Sequence, residues 1–401
     1  MIIVPKVRGF ICTTAHPAGC TANVKQQIEY VKTKVPKIDQ QLKVLVIGAS
    51  TGYGLASRIV SSFAVGAKTI GVFFERSALA EKTASAGWYN SAAFEREAHA
   101  AGIYAKSING DAFSADIKQQ TVDLIKKDWG TVDLIVYSLA APRRVDQAGN
   151  VFNSVLKPVG ESYKNKTIDI NTGKISNVEI APATSDEIAA TIKVMGGEDL
   201  QNWVDYLHNF KALATNCKVV AYSYIGPTMT YQIYRNGTIG HAKEHLEKTI
   251  KNLDQFLEKN YNGKAVISVN KALVTQASAA IPVVPLYISL LYKVMKDQNI
   301  HEGCIEQISR LFTDYLYNNQ ASNLIDGSGR IRIDDLEMRL DVQQQVAKLW
   351  DIIETDNVAT IADLAGYKDE FYKLFGFNFP SVDYNKDYNI DIQIPSVVEY
   401  A

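Results

Sequence analysis

A chain of 401 residues is longer than one hydrophobic core usually serves, so it folds either as two domains or as one α/β domain with large insertions. With 47% apolar and 21% charged residues it has a globular composition, and a formal charge of -1 argues against a bulk electrostatic partner such as duplex DNA or an anionic membrane, leaving only local basic patches open. The four cysteines, Cys12, Cys20, Cys217 and Cys304, lack CxxC or Cys/His spacing, which points to a reducing compartment.

In chain order, the opening run MIIVPKVRGFICTT is broken by Pro5, Lys6, Arg8 and Gly9 and lacks the continuous apolar stretch of a signal peptide. Short β-branched runs then alternate with amphipathic stretches, the pattern of a parallel sheet wound with helices. Strands are expected at 43–50, 69–75, 104–110, 132–140, 218–226 and 265–274, apolar enough to be buried on both faces. Between them LASRIVSSF, FEREAHAA, DIKQQTVDLIKKDW and AKEHLEKTIKNLDQFLEKN repeat apolar residues at helical spacing. The sheet rhythm stops from Pro142 to about Asn216, where residues 166–180 read as a two-strand excursion turning at Asn171, Thr172 and Gly173, followed by two helical segments. After residue 280 the chain is mostly helical, with a surface hairpin expected at DGSGRIRI, 326–333. The stretch 281–295, IPVVPLYISLLYKVM, is too short and too proline-marked to span a bilayer.

The expected fold is therefore α/β, a Rossmann-type doubly wound parallel sheet with helices on both faces. It is read as one elaborated domain: an N-terminal extension (1–42), a dinucleotide-binding core (43–140 and 217–280), a substrate-side insertion (141–216) and a helical C-terminal extension (281–401). A cytoplasmic monomer without nucleic-acid partners is expected.

GASTGYG, 48–54, follows a strand and opens a helix, so its glycines allow a tight turn and close approach of a pyrophosphate to the helix N-terminus. Glu75 ends the second strand about 27 residues after Gly48, where a carboxylate would take the ribose hydroxyls and repel the 2'-phosphate of NADPH. Arg76 beside it argues the other way. Asp111 ends the third strand, either as an acceptor for the adenine amine or as a helix N-cap, and SLAA (138–141) supplies small residues where backbone passes a cofactor.

A reductase also needs a proton donor, and a nearby lysine ammonium would lower a tyrosine's pKa toward the working range. Tyr30/Lys34 and Tyr292/Lys296 have the helical Tyr-x3-Lys spacing, but they precede the first core strand and follow the last, and read as solvated or core positions. Tyr234 and Lys243 would diverge on a continuous helix, yet Asn236-Gly237 breaks any helix between them and lets both reach one site. Tyr224 ends the preceding strand toward the same cleft, and Tyr231 reads as packing.

The chain resembles the FabV-type trans-2-enoyl reductases, a divergent branch of the short-chain dehydrogenases. VRGFICTTAHPAGC, GASTGYGLASR, AGWYN, YSLAAPRR, KVMGGEDLQNW, the Tyr-x8-Lys of 234 to 243 and NKALVTQASAAIPVVPLY carry that likeness over essentially the whole chain. The resemblance implies NADH-dependent saturation of an enoyl thioester on acyl carrier protein or coenzyme A, with Tyr234 and Lys243 catalytic. It implies a cofactor resting on Gly48, Ala49, Ser50, Thr51, Gly52, Tyr53, Phe74, Glu75, Asp111, Ala112, Leu139, Ala140, Lys243, Leu273, Val274 and Thr275. Tyr224, Thr275, Ser278 and Ile281 are the substrate-binding candidates, with Pro282 beside the acyl channel; Ser278 reads equally as helix-start packing. A carbonyl or β-ketoacyl reductase and a non-catalytic dinucleotide-binding regulator are the alternatives.

Metal chemistry is not expected. DGSGRIRIDDLE (326–337) has Arg330 and Ile331 where a calcium loop needs its fifth ligand and its glycine, and His241/His245 lack a third ligand. Arg143 and Arg144 are candidates for a coenzyme A phosphate or an acidic carrier surface.

Overall fold

The computed structural model describes residues 1–9, 11–38, 40–146, 148–317 and 325–399. Its centre is an eight-stranded, all-parallel sheet: β1 (Lys43–Ile47), β2 (Lys68–Phe73), β3 (Ala105–Asn109), β4 (Val132–Tyr137), β5 (Leu213–Ser223), β6 (Lys264–Val269), β7 (Ile331–Arg332) and β8 (Val397–Glu399). The spatial order is β7-β6-β5-β4-β1-β2-β3-β8. Its inner six strands have the doubly wound order that places ligands beyond the carboxyl ends of β1 and β4.

The apolar strand runs are explained by the pleat. Along β1, Val44 and Val46 pack into the core on one face, and Leu45 and Ile47 into the core on the other. The first face is covered by α1 (Pro17–Lys34), α2 (Gly52–Phe63), α3 (Ala86–Ala100) and much of the C-terminal extension. The second is covered by α4 (Ala115–Asp128), α6 (Glu198–Asn209) and α7 (Thr238–Tyr261), while α5 (Ser185–Met195) packs on α7. Among the described residues, no helix is long and apolar enough to cross a membrane.

The excursion forms as expected, Tyr163–Ile168 pairing antiparallel with Ile175–Ile180, and the Asp169 carboxylate accepts the Asn171 and Thr172 N–H groups in the turn. The 326–333 segment is a surface hairpin in part. Among the described residues Ile325 and Ile331 bridge antiparallel around an exposed turn at 327–329, but the chain then turns inward, β7 extends the main sheet beside β6, and Ile331, Ile333, Asp334 and Glu337 are buried. Two alternating isoleucines in a short polar stretch mark an edge strand as readily as a surface turn.

The other edge is held by a buried polar knot. Arg58 of α2 is fully buried and donates to the Lys106 carbonyl (2.6 Å) and Ser107 Oγ (3.0 Å), with Glu95 of α3 at 3.8 Å. Glu95 in turn accepts from Ser107 Oγ and from the Ser396 N–H that leads into β8. Burial lowers the Arg58 pKa to about 10, with Glu95 opposing that shift. Glu95→Ala, which leaves the guanidinium unpaired, is expected to cost about 3–5 kcal/mol in urea denaturation. A loss near zero would mean the knot is already solvated.

Candidate active site

Residues just beyond the carboxyl ends of β1, β2, β3, β4, β5 and β6 line one cleft of about 960 Å³, together with Lys243 from α7 and the loop entering α8 (Gln276–Ala279). Gly48 has φ +85°, and a Cβ there would lie 2.2 Å from the Ser138 carbonyl; a Cβ on Gly54 would lie 1.8 Å from the Gly48 carbonyl. The turn is thus closed by backbone on backbone. Thr51, the N-cap of α2, makes no side-chain cap bond, so the first N–H groups of that helix remain for a phosphate.

Of the expected cofactor residues, Gly48, Ser50, Thr51, Gly52, Tyr53, Phe74, Glu75, Asp111, Ala112, Leu139, Ala140, Lys243, Leu273, Val274 and Thr275 line the cleft; Ala49 is buried behind it. Asn90 Oδ1, Ser223 Oγ and Asn270 Nδ2, also on residues lining the cleft, are buried without a partner among the described residues. Such atoms suit a polar ligand. Phe74 is 77% exposed beside them, an apolar face of the size an adenine covers. The set therefore fits a dinucleotide.

Glu75 is held firmly. Asn109 clamps its backbone through two bonds, Glu75 N–H to Oδ1 (2.8 Å) and Nδ2 to the Glu75 carbonyl (3.0 Å), and Ser50 Oγ donates to Oε1 at 2.7 Å. Burial raises its pKa, opposed by Ser50 and Ser85. The carboxylate lies where a Cβ on Gly87 would be, 2.0 Å from Oε1, so AGWYN needs glycine at that position. Asp111 does not cap α4: Ser114 does, accepting from Ile117 N–H, while Asp111 accepts from Phe113 N–H and lines the cleft. Ala112 is pinned by Lys118 Nζ, which donates to its carbonyl and to Asp199, whose other oxygen accepts from Tyr137.

Tyr234 lies in a turn before α7, and Gly237 occupies the N-cap of that helix, so the break expected at Asn236-Gly237 is present. Tyr234 and Lys243 both line the cleft. Their expected electrostatic coupling is corrected: burial alone moves the Tyr234 phenol, upward, and burial moves Lys243 down to about 8 with Glu247 opposing. Lys243 Nζ donates to the Tyr222 carbonyl at 3.1 Å. The Tyr234 hydroxyl has no hydrogen-bond partner among the described residues, and its ring meets that of Tyr224 edge-on at 5.0 Å. Tyr234 is thus a neutral, uncommitted donor. Tyr231 packs against the second core.

Other candidates separate. Thr275 lines the cleft, but Ser278 and Ile281 do not; the Ser278 hydroxyl donates to the Leu273 carbonyl, and Thr275 and Ser278 form a capping box. Tyr292, on α9 (Val284–Asp297), does reach the cleft, contrary to its place in the sequence, because α9 folds back; its hydroxyl is committed to the Val274 N–H. Lys296 pairs with Asp363 at 2.7 Å while lying over the Tyr292 ring at 4.9 Å, away from the Tyr292 hydroxyl bond. Arg144 is buried on Glu198, leaving Arg143 as the exposed arginine at the rim. His245 accepts from Gly197 N–H, and no metal-binding cluster is found among the described residues. Sequence reasoning missed Asn109, Gly87, Lys271 and Glu337; their signals, a polar strand end, a glycine in a helical run and a charge among apolar residues, are common elsewhere.

A doubly wound sheet whose switch point carries this glycine turn, an acid at the end of β2 and a tyrosine and a lysine in one cleft has the arrangement of a dinucleotide-dependent oxidoreductase. Family models match in the same order along the chain: the NAD(P)H binding domain of trans-2-enoyl-CoA reductase over residues 2–80, the trans-2-enoyl-CoA reductase catalytic region over 82–317 and an enoyl reductase FAD binding domain over 325–388. The chain is 61% identical to an enoyl-[acyl-carrier-protein] reductase [NADH] of Coxiella burnetii, covering 99% of this chain and 98% of that one. It is 57% identical to a trans-2-enoyl-CoA reductase [NADH] of Ruminiclostridium cellulolyticum, covering 98% and 99%. The crystal structure of Treponema denticola trans-2-enoyl-CoA reductase in complex with NAD matches with a TM-score of 0.91 at 45% identity, covering 98% of this chain and 99% of that one. The chain belongs to the trans-2-enoyl reductase family.

Residues 325–388 show no flavin site of their own among the described residues: Gly329 lies on an open turn, Gly376 is pressed against His16 and Cys20, the cavity beside Lys368, Phe371 and Tyr372 holds about 100 Å³, and the segment's Glu370, Lys373, Leu374 and Phe379 line the same cleft that fits the dinucleotide.

Gly87→Ala should push the Glu75 carboxylate from its place and erode discrimination between NADH and NADPH, read as the ratio of their dissociation constants by fluorescence titration. An unchanged ratio would detach Glu75 from cofactor choice.

Proposed function

We propose that this chain reduces the 2,3-double bond of a trans-2-enoyl thioester with NADH, with Tyr234 as the principal hydrogen-bond donor and Lys243 as the residue that holds the cofactor ribose. The observation that carries the reading is the uncommitted Tyr234 hydroxyl opening on a cleft that otherwise fits a dinucleotide. This is the last reductive step of fatty acid elongation.

Bound NADH supplies the hydride that adds to the β-carbon. The chain's part is to make that addition favourable. Tyr234 donates to the thioester oxygen, which gains negative charge as the enolate develops, so the bond strengthens most in the transition state. A phenol kept neutral by burial holds its proton while doing so. Lys243, charged below about pH 8, adds positive potential without covalent chemistry. Gly48, Thr51 and the N-terminus of α2 would hold the pyrophosphate, Glu75 would take the adenosine ribose, and Leu273 to Thr275, which line the same cleft, would contact the nicotinamide. The α-carbon is then protonated. Acyl carrier protein and coenzyme A deliver the same thioester; four free cysteines among the described residues support a reducing cytoplasm.

Tyr234→Phe should lower turnover by about two to three orders of magnitude with little change in NADH affinity, and Lys243→Met should weaken both. The assay is initial-rate NADH oxidation with paired enoyl-carrier-protein and enoyl-CoA substrates. Near-normal turnover in Tyr234→Phe would remove it from the role.

The pH profile gives a second check. A lysine lowered to about 8 is charged below that pH and neutral above it, so kcat/KM for NADH should fall as pH rises through about 8. Lys243→Met should lack this break; a break that persists belongs to another group, such as Lys271, which burial also lowers to about 8.

A further inference from the structure

Glu337 follows β7 in the C-terminal extension and is completely buried. It nevertheless joins one cleft residue to two elements behind the cleft. Oε1 accepts from the Tyr224 hydroxyl at 3.1 Å and from the Tyr287 hydroxyl at 2.7 Å, and Oε2 accepts from the Ala272 N–H at 2.7 Å. Tyr224 directly follows β5 and lines the cleft beside Tyr234, Ala272 precedes the cleft-lining residues Leu273–Thr275, and Tyr287 lies on α9.

We propose that Glu337 is a positioning residue that decides which tyrosine can donate to the substrate, by drawing the Tyr224 hydroxyl proton away from the cleft. The proposal rests on the reading of Tyr234 as donor. The donor inventory supports it. The Ala272 N–H can only donate, and the Tyr287 oxygen already receives Gln343 Nε2 at 3.1 Å, so the Tyr287 proton is free to point at Oε1. Three donors on two oxygens call for a carboxylate. A glutamine would set its amide N–H either against the Ala272 N–H, donor against donor, or toward the phenol oxygens, which would accept it and turn their protons elsewhere.

The charge has local compensation. Lys271 is buried beside the same loop, with its ammonium on the Ala272 carbonyl (3.0 Å) and over the Tyr292 ring (5.0 Å), and its field opposes the upward push that burial gives Glu337. With its proton committed inward, Tyr224 turns only lone pairs toward the cleft. It cannot donate to a developing enolate, whereas Tyr234 can. The two neighbouring phenols are thereby given different roles by a residue that touches neither cofactor nor substrate.

The test compares Glu337→Gln, Tyr224→Phe, their double variant and Tyr287→Phe by kcat and KM with crotonyl thioester, NADH dissociation constant and thermal denaturation. Glu337→Gln should lower kcat by about tenfold, by freeing the Tyr224 proton to compete with Tyr234, whereas Tyr224→Phe should have a smaller effect and the double variant should be no worse than Tyr224→Phe alone, because Glu337 acts through that one hydroxyl. NADH affinity should hold within about twofold, and Tyr287→Phe, which removes a donor from the same oxygen but not from the cleft, should keep near-normal kcat. Multiplying effects in the double variant, or a Tyr287→Phe that falls as far as Glu337→Gln, would make Glu337 merely structural and overturn the proposal.

If Glu337→Gln does not fold, 13Cζ-tyrosine NMR of the unaltered protein decides. The Tyr224 resonance, assigned by its loss in Tyr224→Phe, should lie where a phenol donating to a carboxylate lies, downfield of a water-bonded phenol; the water-bonded position would refute the assignment. Failure of the Tyr234 reading is seen separately, as normal turnover in Tyr234→Phe.

Discussion

The active site depends on one topological constraint: β1 and β4 are sheet neighbours, and the chain leaves them in opposite directions. A crevice must open where the connections diverge, and parallel pairing brings the carboxyl ends of six strands to the same edge. Gly48 then meets Ser138 backbone to backbone, so no side chain fills the crevice. The free atoms of Asn90, Ser223 and Asn270 around it would be a liability in a closed core. Here they are the complement of a polar ligand.

Burial sets the electrostatics around that crevice. It raises Tyr222, Tyr224 and Tyr234 and lowers Lys243 and Lys271, so the phenols are kept protonated and the ammonium groups are brought near neutrality. A site of this kind does not need an ionised tyrosine. It needs a donor whose hydrogen bond strengthens when charge arrives, in surroundings with little water to compete. The protein spends its charged pairs elsewhere: Arg58 with Glu95 at one sheet edge, Lys118 with Asp199 under Ala112.

The fold was legible because its signals are periodic or conformational. Both-face burial gave most of the six inner strands their apolar runs, though not β3 with its Lys106 and Ser107, and GASTGYG announced a backbone turn that only glycine relieves. The Tyr234 break was legible for the same reason, since Asn236-Gly237 is a local stop. What remained hidden depends on contacts between distant segments. Nothing in DDLE says that its last residue will meet Tyr224, Tyr287 and Ala272, and the 326–333 stretch has turn chemistry that fits a surface hairpin as well as an edge strand. Tyr292 was misplaced because its position in the chain does not reveal that α9 returns to the cleft. Tyr234 and Lys243 share the cleft without the expected coupling: burial alone raises the phenol, with no contribution from Lys243.

The far edge of the sheet has a further consequence, for the time order of folding. Val397 pairs with Ser107 and Ser396 bonds to Glu95, so the strand that flanks β3 is contributed by residues far along the chain. During synthesis β3 must wait with one row of backbone groups unpaired and the Arg58–Glu95 knot half-closed, while most of the chain is still to be made. Such late, long-range closure slows folding and leaves an aggregation-prone edge exposed on the nascent chain. The same delay keeps Glu337, and with it the division of labour between the two tyrosines, out of reach until the C-terminal extension has emerged from the ribosome.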